Sequence, residues 1–122
     1  MGWIPEGGGS GAIFTFSVPD DVVVASGAAR LYPPTNLTIV TVRASLGVSP
    51  VGASVIVDVH KNGTTIFTTQ ANRPTIAASG NVSDLEVPDV TALTSTDYLT
   101  VDVDQIGSTT AGSYLTVVVE CE

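Results

Sequence analysis

The chain contains one imidazole, His60, and this limits the chemistry open to it. A hydrolase triad requires a nucleophile, a base and an orienting acid in mutual contact. Asp58 is two positions earlier, about 7 Å along an extended strand and on the same face, where a carboxylate can tune an imidazole. No serine sits in a Gly-x-Ser-x-Gly elbow. The preferred reading is therefore a solvated histidine at a hairpin end, with a hydrolase using His60 as a minor competitor and no catalytic residue assigned.

Carboxylates are the second candidates. Asp102 and Asp104 alternate along one segment, and Asp20 and Asp21 are adjacent in a turn. Either pair could offer hard oxygen ligands to Ca²⁺, but no EF-hand spacing surrounds them. Alternating Asp and Thr on a wet strand face also serves solubility and edge protection. No metal and no cofactor is expected. Aromatic platforms for a sugar would have to come from seven rings, Trp3, Phe14, Phe16, Tyr32, Phe67, Tyr98 and Tyr114. Phe14 and Phe16 share a face and read as core. Tyr98 and Tyr114 flank the last connection and are expected to be exposed near one end of the domain.

The elements that carry these residues are strands. In Val55-Ile56-Val57-Asp58-Val59-His60 the odd positions are all valine, a period-two pattern that places them on one face. Asn62-Gly63 supplies the residues a type I′ turn prefers, because both central positions need φ > 0. That turn pairs Lys61 with Thr64, Val59 with Ile66 and Val57 with Thr68. Ile56 and Phe67 then fall on the nominally wet face, an apolar patch expected to be covered by the N-terminal segment, a second layer or a neighbouring subunit. Leu99, Val101 and Val103 alternate with Thr100, Asp102 and Asp104, and Leu115, Val117 and Val119 with Thr116, Val118 and Glu120. About eight or nine short strands punctuated by turn signals predict an all-β, antiparallel two-sheet sandwich, jelly-roll-like, with an immunoglobulin-like order as the alternative.

Residues 1–11 stand apart. Gly7-Gly8-Gly9-Ser10-Gly11 opposes regular structure, so this segment reads as a flexible N-terminal arm ahead of a sandwich over residues 12–122. Trp3 and Ile4 are its candidate anchors on a partner. Deleting such an arm should remove partner binding and leave the thermal midpoint nearly unchanged.

Composition agrees. The 122 residues fit one domain with a sizeable core, and 19 valines, 7 isoleucines and 16 threonines favour sheet over helix. With 12 acids against 4 bases the net charge is −8, so the basic footprint a nucleic-acid binder needs is missing. No apolar run reaches the ~20 residues of a membrane span, and the start lacks a basic n-region and an apolar h-region, so a soluble chain without a secretory signal is expected. Cys121 has no partner for an internal disulfide.

Four runs carry a resemblance: Val42 to Gly47, Val51 to Phe67, Asn72 to Ile76 and Asp97 to Gly112. Together they resemble a β-sandwich domain of tailed-bacteriophage virion proteins, head-decoration and tail-fibre-associated, and the likeness extends from about Phe14 to Val119. His60 departs from the pattern, which favours Asn before Lys-Asn-Gly. The resemblance implies a non-enzymatic structural role on the virion surface, with the protein made in the host cytoplasm. The first expectation is a capsid decoration (cement) protein that binds the major capsid protein or another virion protein, as a homo-oligomer with a trimer preferred. The alternative is a tail- or fibre-associated adhesion domain that binds host-surface glycan near Tyr98, Tyr114 and the Gly107 to Gly112 loop. Trp3, Ile4, Ile56, Phe67, Tyr98 and Tyr114 are the candidate partner-binding residues.

Overall fold

A computed structural model describes residues 2–8 and 11–122, with side chains at 2, 3 and 11–122. Among the described residues the strands are β1 (Gly2–Gly8), β2 (Gly11–Asp21), β3 (Leu37–Val48), β4 (Val55–Lys61), β5 (Thr64–Thr65), β6 (Thr75–Ile76), β7 (Ala92–Leu93), β8 (Leu99–Gln105) and β9 (Ser113–Cys121). A 3-10 turn, Gln70–Asn72, lies between β5 and β6. No helix among the described residues is long and apolar enough to cross a membrane.

Two antiparallel sheets face each other. The first runs β1-β2-β9-β3-β7, and in the second β4 pairs with β5 and β6 on one edge and with β8 on the other. Two irregular segments extend the sheets. Residues 22–32 run along β8 through the bridges Ala25 to Val103 and Leu31 to Leu99, and residues 81–86 run along β3 through Ser45 to Val82 and Val42 to Glu86. Successive strands therefore switch sheets: β2 to 22–32, β3 to β4, β8 to β9. This is jelly-roll order. An immunoglobulin-like sandwich keeps its first two strands in one sheet, whereas here β2 lies in the first sheet and the next segment, residues 22–32, borders the second.

The period-two reading places the core. Val55, Val57 and Val59 of β4, Leu99, Val101 and Val103 of β8, and Leu115, Val117 and Val119 of β9 are at most 5% exposed. They meet Phe14 and Phe16 of β2 and Val42, Ala44 and Leu46 of β3 in one cluster between the sheets. Close-packed β-branched side chains suit this, since one χ1 rotamer fills the pleat at little entropic cost.

The arm is laid down along β2, so its glycines do not keep it from forming a strand. Gly2 pairs with Ser17 and the register runs without a break to Gly8 opposite Gly11. The Trp3 ring packs edge-on against Phe16 with centroids 5.6 Å apart. Its indole N–H donates to Ala29 O at 3.4 Å, which ties the edge of the first sheet to the segment that borders the second.

Candidate functional site

Asn62 (φ 54) and Gly63 (φ 86) form the expected turn. Lys61 pairs with Thr64, His60 with Thr65, and Ile66 N–H donates to Val59 O at 2.9 Å. The expected pairing of Val57 with Thr68 does not form. Instead Thr65 Oγ1 donates to Asp58 Oδ1 at 2.7 Å and accepts the Phe67 N–H at 3.0 Å, bending the chain off the ladder. Val57 N–H then takes Pro74 O as its partner, at 3.0 Å.

This bend corrects the expected outer patch. Phe67 is fully buried in the core cluster, and Ile56 is half-buried between Gln105 of β8 and Thr75 of β6. The face holds a polar cluster instead. Asp58 stands directly opposite Asp102, and His60 opposite Thr100, across the β4–β8 ladder. These positions were expected to be wet, yet Asp58, Thr100 and Asp102 are only 2%, 5% and 6% exposed. His60 Nε2 lies 3.3 Å from Asp58 Oδ2 and 3.1 Å from Asp102 Oδ2. The imidazole edge thus stands between the two carboxylates and faces both of them.

Each carboxylate has further donors, as burial of charge demands. Asp58 Oδ1 also accepts the Val59 N–H at 2.8 Å, and Asp102 Oδ1 accepts the Gly27 N–H at 2.7 Å. Gln70, in the 3-10 turn, spans Asp58 Oδ2 at 3.5 Å and Phe67 O at 2.7 Å. No buried side-chain polar atom among the described residues lacks a partner. Asp104 is separate, exposed and paired with Arg73 at 2.7 Å. Asp21 accepts the Ser113 hydroxyl, and no group of three His, Cys, Asp or Glu side chains among the described residues is arranged to hold a metal.

Beside this cluster opens a cleft of about 410 Å³ lined by Ser26, Gly27, Arg30, His60, Gly63, Tyr98, Thr100 and Asp102. Arg30 lies 4.0 Å over the Tyr98 ring and donates to the Tyr32 hydroxyl at 3.3 Å. Tyr98 is fixed from below, since its N–H donates to Asn62 Oδ1 at 3.1 Å and Asn62 Nδ2 donates to Asp97 Oδ1 at 2.8 Å. These bonds, with one to the Thr94 N–H, hold the Asp97 carboxyl below the usual aspartate range.

The candidate residues thus separate. Tyr98 enters the cleft at the Asn62-Gly63 end, whereas Tyr114, 57% exposed, packs over Gly47 where β3 and β9 meet at the other end. One loop cluster containing both tyrosines does not form, because Tyr98 immediately precedes β8 and the connection to Tyr114 follows that strand's far end. Trp3 is engaged within its own domain, and the Ile4 side chain lies outside the described residues. Thr65 was foreseeable, since the turn register puts it opposite His60. Ser26, Gly27 and Arg30 were not, because they reach the site only through the strand order of the second sheet.

No family model, curated protein or solved structure matches the chain.

Proposed function

We propose that the chain is a non-enzymatic structural protein of a tailed-phage particle, a capsid decoration protein that binds the assembled head and stabilises it. The observation that favours attachment to a protein shell is the outer rim of the first sheet. There Val82, Leu85 and Val87 are 55%, 55% and 61% exposed along the segment that borders β3. Exposed apolar side chains gathered in one short run suit a protein interface. A lattice contact adds interface to every subunit boundary it crosses, and anything that binds only the assembled shell shifts the equilibrium toward it. The preferred solution state is a trimer. The discriminating experiment is copy number on purified particles by quantitative mass spectrometry. Hundreds of copies on the head support decoration, and a few at the tail tip overturn it.

The second reading, a tail-associated adhesion domain, is favoured by a different observation, the polar cleft beside Tyr98. Under it the chain contacts host-surface glycan at the Asn62-Gly63 end of the sandwich.

A further inference from the structure

We infer that the cleft between the Ser26-Gly27 bend and the Asn62-Gly63 turn is a binding site for a neutral, hydroxyl-rich sugar residue. Its setting is the adhesion reading, but its chemistry does not depend on where the chain sits on a particle.

The volume, about 410 Å³, falls in the range of small-ligand sites. The walls are built rather than incidental. The Asp102 side chain is 9% exposed and pinned by Gly27 N–H at 2.7 Å and His60 Nε2 at 3.1 Å, so its orientation is set before any ligand arrives. Each Asp102 oxygen keeps a further lone pair, and a carboxylate with two such acceptors suits a pair of neighbouring hydroxyls. His60 lines the same wall. Thr100 and Ser26 add hydroxyls that donate or accept, and Arg30 supplies donors at the rim.

Alternating donors and acceptors around a preorganised carboxylate suit a ligand whose every edge carries an O–H. They do not suit an anion. Asp102 faces the cleft and the chain carries −8, so an anion would meet a carboxylate on an acidic protein. A metal ion fits no better, because among the described residues no group of three His, Cys, Asp or Glu side chains is arranged to hold one.

The test is a titration of the ¹⁵N-labelled protein with glucose, galactose, N-acetylglucosamine and rhamnose, read by amide chemical shifts, with glucuronate and CaCl₂ run in parallel. Saturable shifts at Gly27, Gly63 and Thr100 with at least one neutral sugar are expected in the millimolar range. Ser26→Phe, at an exposed position on the mouth, should weaken binding by about tenfold or more at an unchanged melting temperature. Asp102→Asn should weaken it similarly, its melting temperature reporting any loss of fold. No saturable shift with any neutral sugar overturns the inference, and so does stronger binding of glucuronate or CaCl₂ than of every neutral sugar. Particle copy number, which decides the decoration reading, is untouched by either result.

Discussion

Asp58 and Asp102 stand directly opposite each other across the β4–β8 ladder, two carboxylates at one rung, both nearly buried. Like charges so placed destabilise a sheet, and burial raises the penalty. What offsets it is His60, whose Nε2 reaches both within 3.3 Å, together with the Gly27 and Val59 amides and the Thr65 hydroxyl.

His60→Ala should therefore destabilise the domain by about 2 kcal/mol at pH 7, a figure kept low because the imidazole is itself part-exposed. Urea denaturation measures it. His60→Asn, which keeps a side-chain N–H, should recover part of the loss, and Asp58→Asn in the His60→Ala background should recover more by removing one of the facing charges. An unfolding midpoint for His60→Ala equal to that of the parent would mean that the imidazole does not hold the pair.

Much of the fold was legible because it is local. The valines of β4, the Asn62-Gly63 turn and the alternation of β8 and β9 each follow from neighbours in sequence, and each core face is where period two places it. The site was only half legible for the same reason. That Asp58 and His60 share a face follows from the chain itself. That Asp102 meets them depends on β8 pairing with β4 in one register, and no alternation pattern specifies strand order. Phe67 escaped because a side chain decided it: the Thr65 hydroxyl donates to Asp58 and accepts the Phe67 N–H, a local alternative that competes with continuing the ladder. A pattern written in apolar and polar letters does not contain that competition.

Trp3 makes the first strand part of the domain's stability. Its ring packs on Phe16 and its N–H reaches Ala29, so Trp3→Ala should cost about 1–2 kcal/mol. Deleting residues 1–11 should likewise lower the thermal midpoint, where an arm held only by a partner would leave it unchanged. Differential scanning calorimetry of both variants distinguishes these. Identical midpoints for parent and variants would show that β1 contributes nothing to the isolated domain.

Two glycines should respond to alanine with very different magnitudes. At Gly63 the strain is conformational, with φ at 86° and no atom nearer than 4.0 Å to a new Cβ, so Gly63→Ala should cost about 1 kcal/mol. At Gly107 the obstacle is steric. A Cβ would run into the Thr110 carbonyl oxygen and stand 3.0 Å from Pro50 Cβ in the β8–β9 connection. The backbone there must shift, and Gly107→Ala should cost about 3 kcal/mol. Chemical denaturation of the two variants side by side settles the order, and a larger loss at Gly63 would contradict it.

Cys121 should be inert in the folded protein. It lies at the end of β9, paired with Ala12 and Ile39 and 3% exposed, and burial first, then the Glu120 charge, push its thiol from the ordinary 9.0 up to about 11. Only the thiolate attacks a disulfide reagent, so labelling with 5,5′-dithiobis(2-nitrobenzoate) at pH 8 should be slow in buffer and fast in denaturant. The same shift sets an alkaline dependence. Because the folded state holds this proton more tightly than the unfolded chain, the group's contribution to stability is intact below pH 9 and declines as pH rises from 9 toward about 11. Cys121→Ala should flatten the part of the alkaline decline that lies between those values. Rapid labelling of the native protein at pH 8, at the rate seen in denaturant, would place the thiol in solvent and remove the basis for both outcomes.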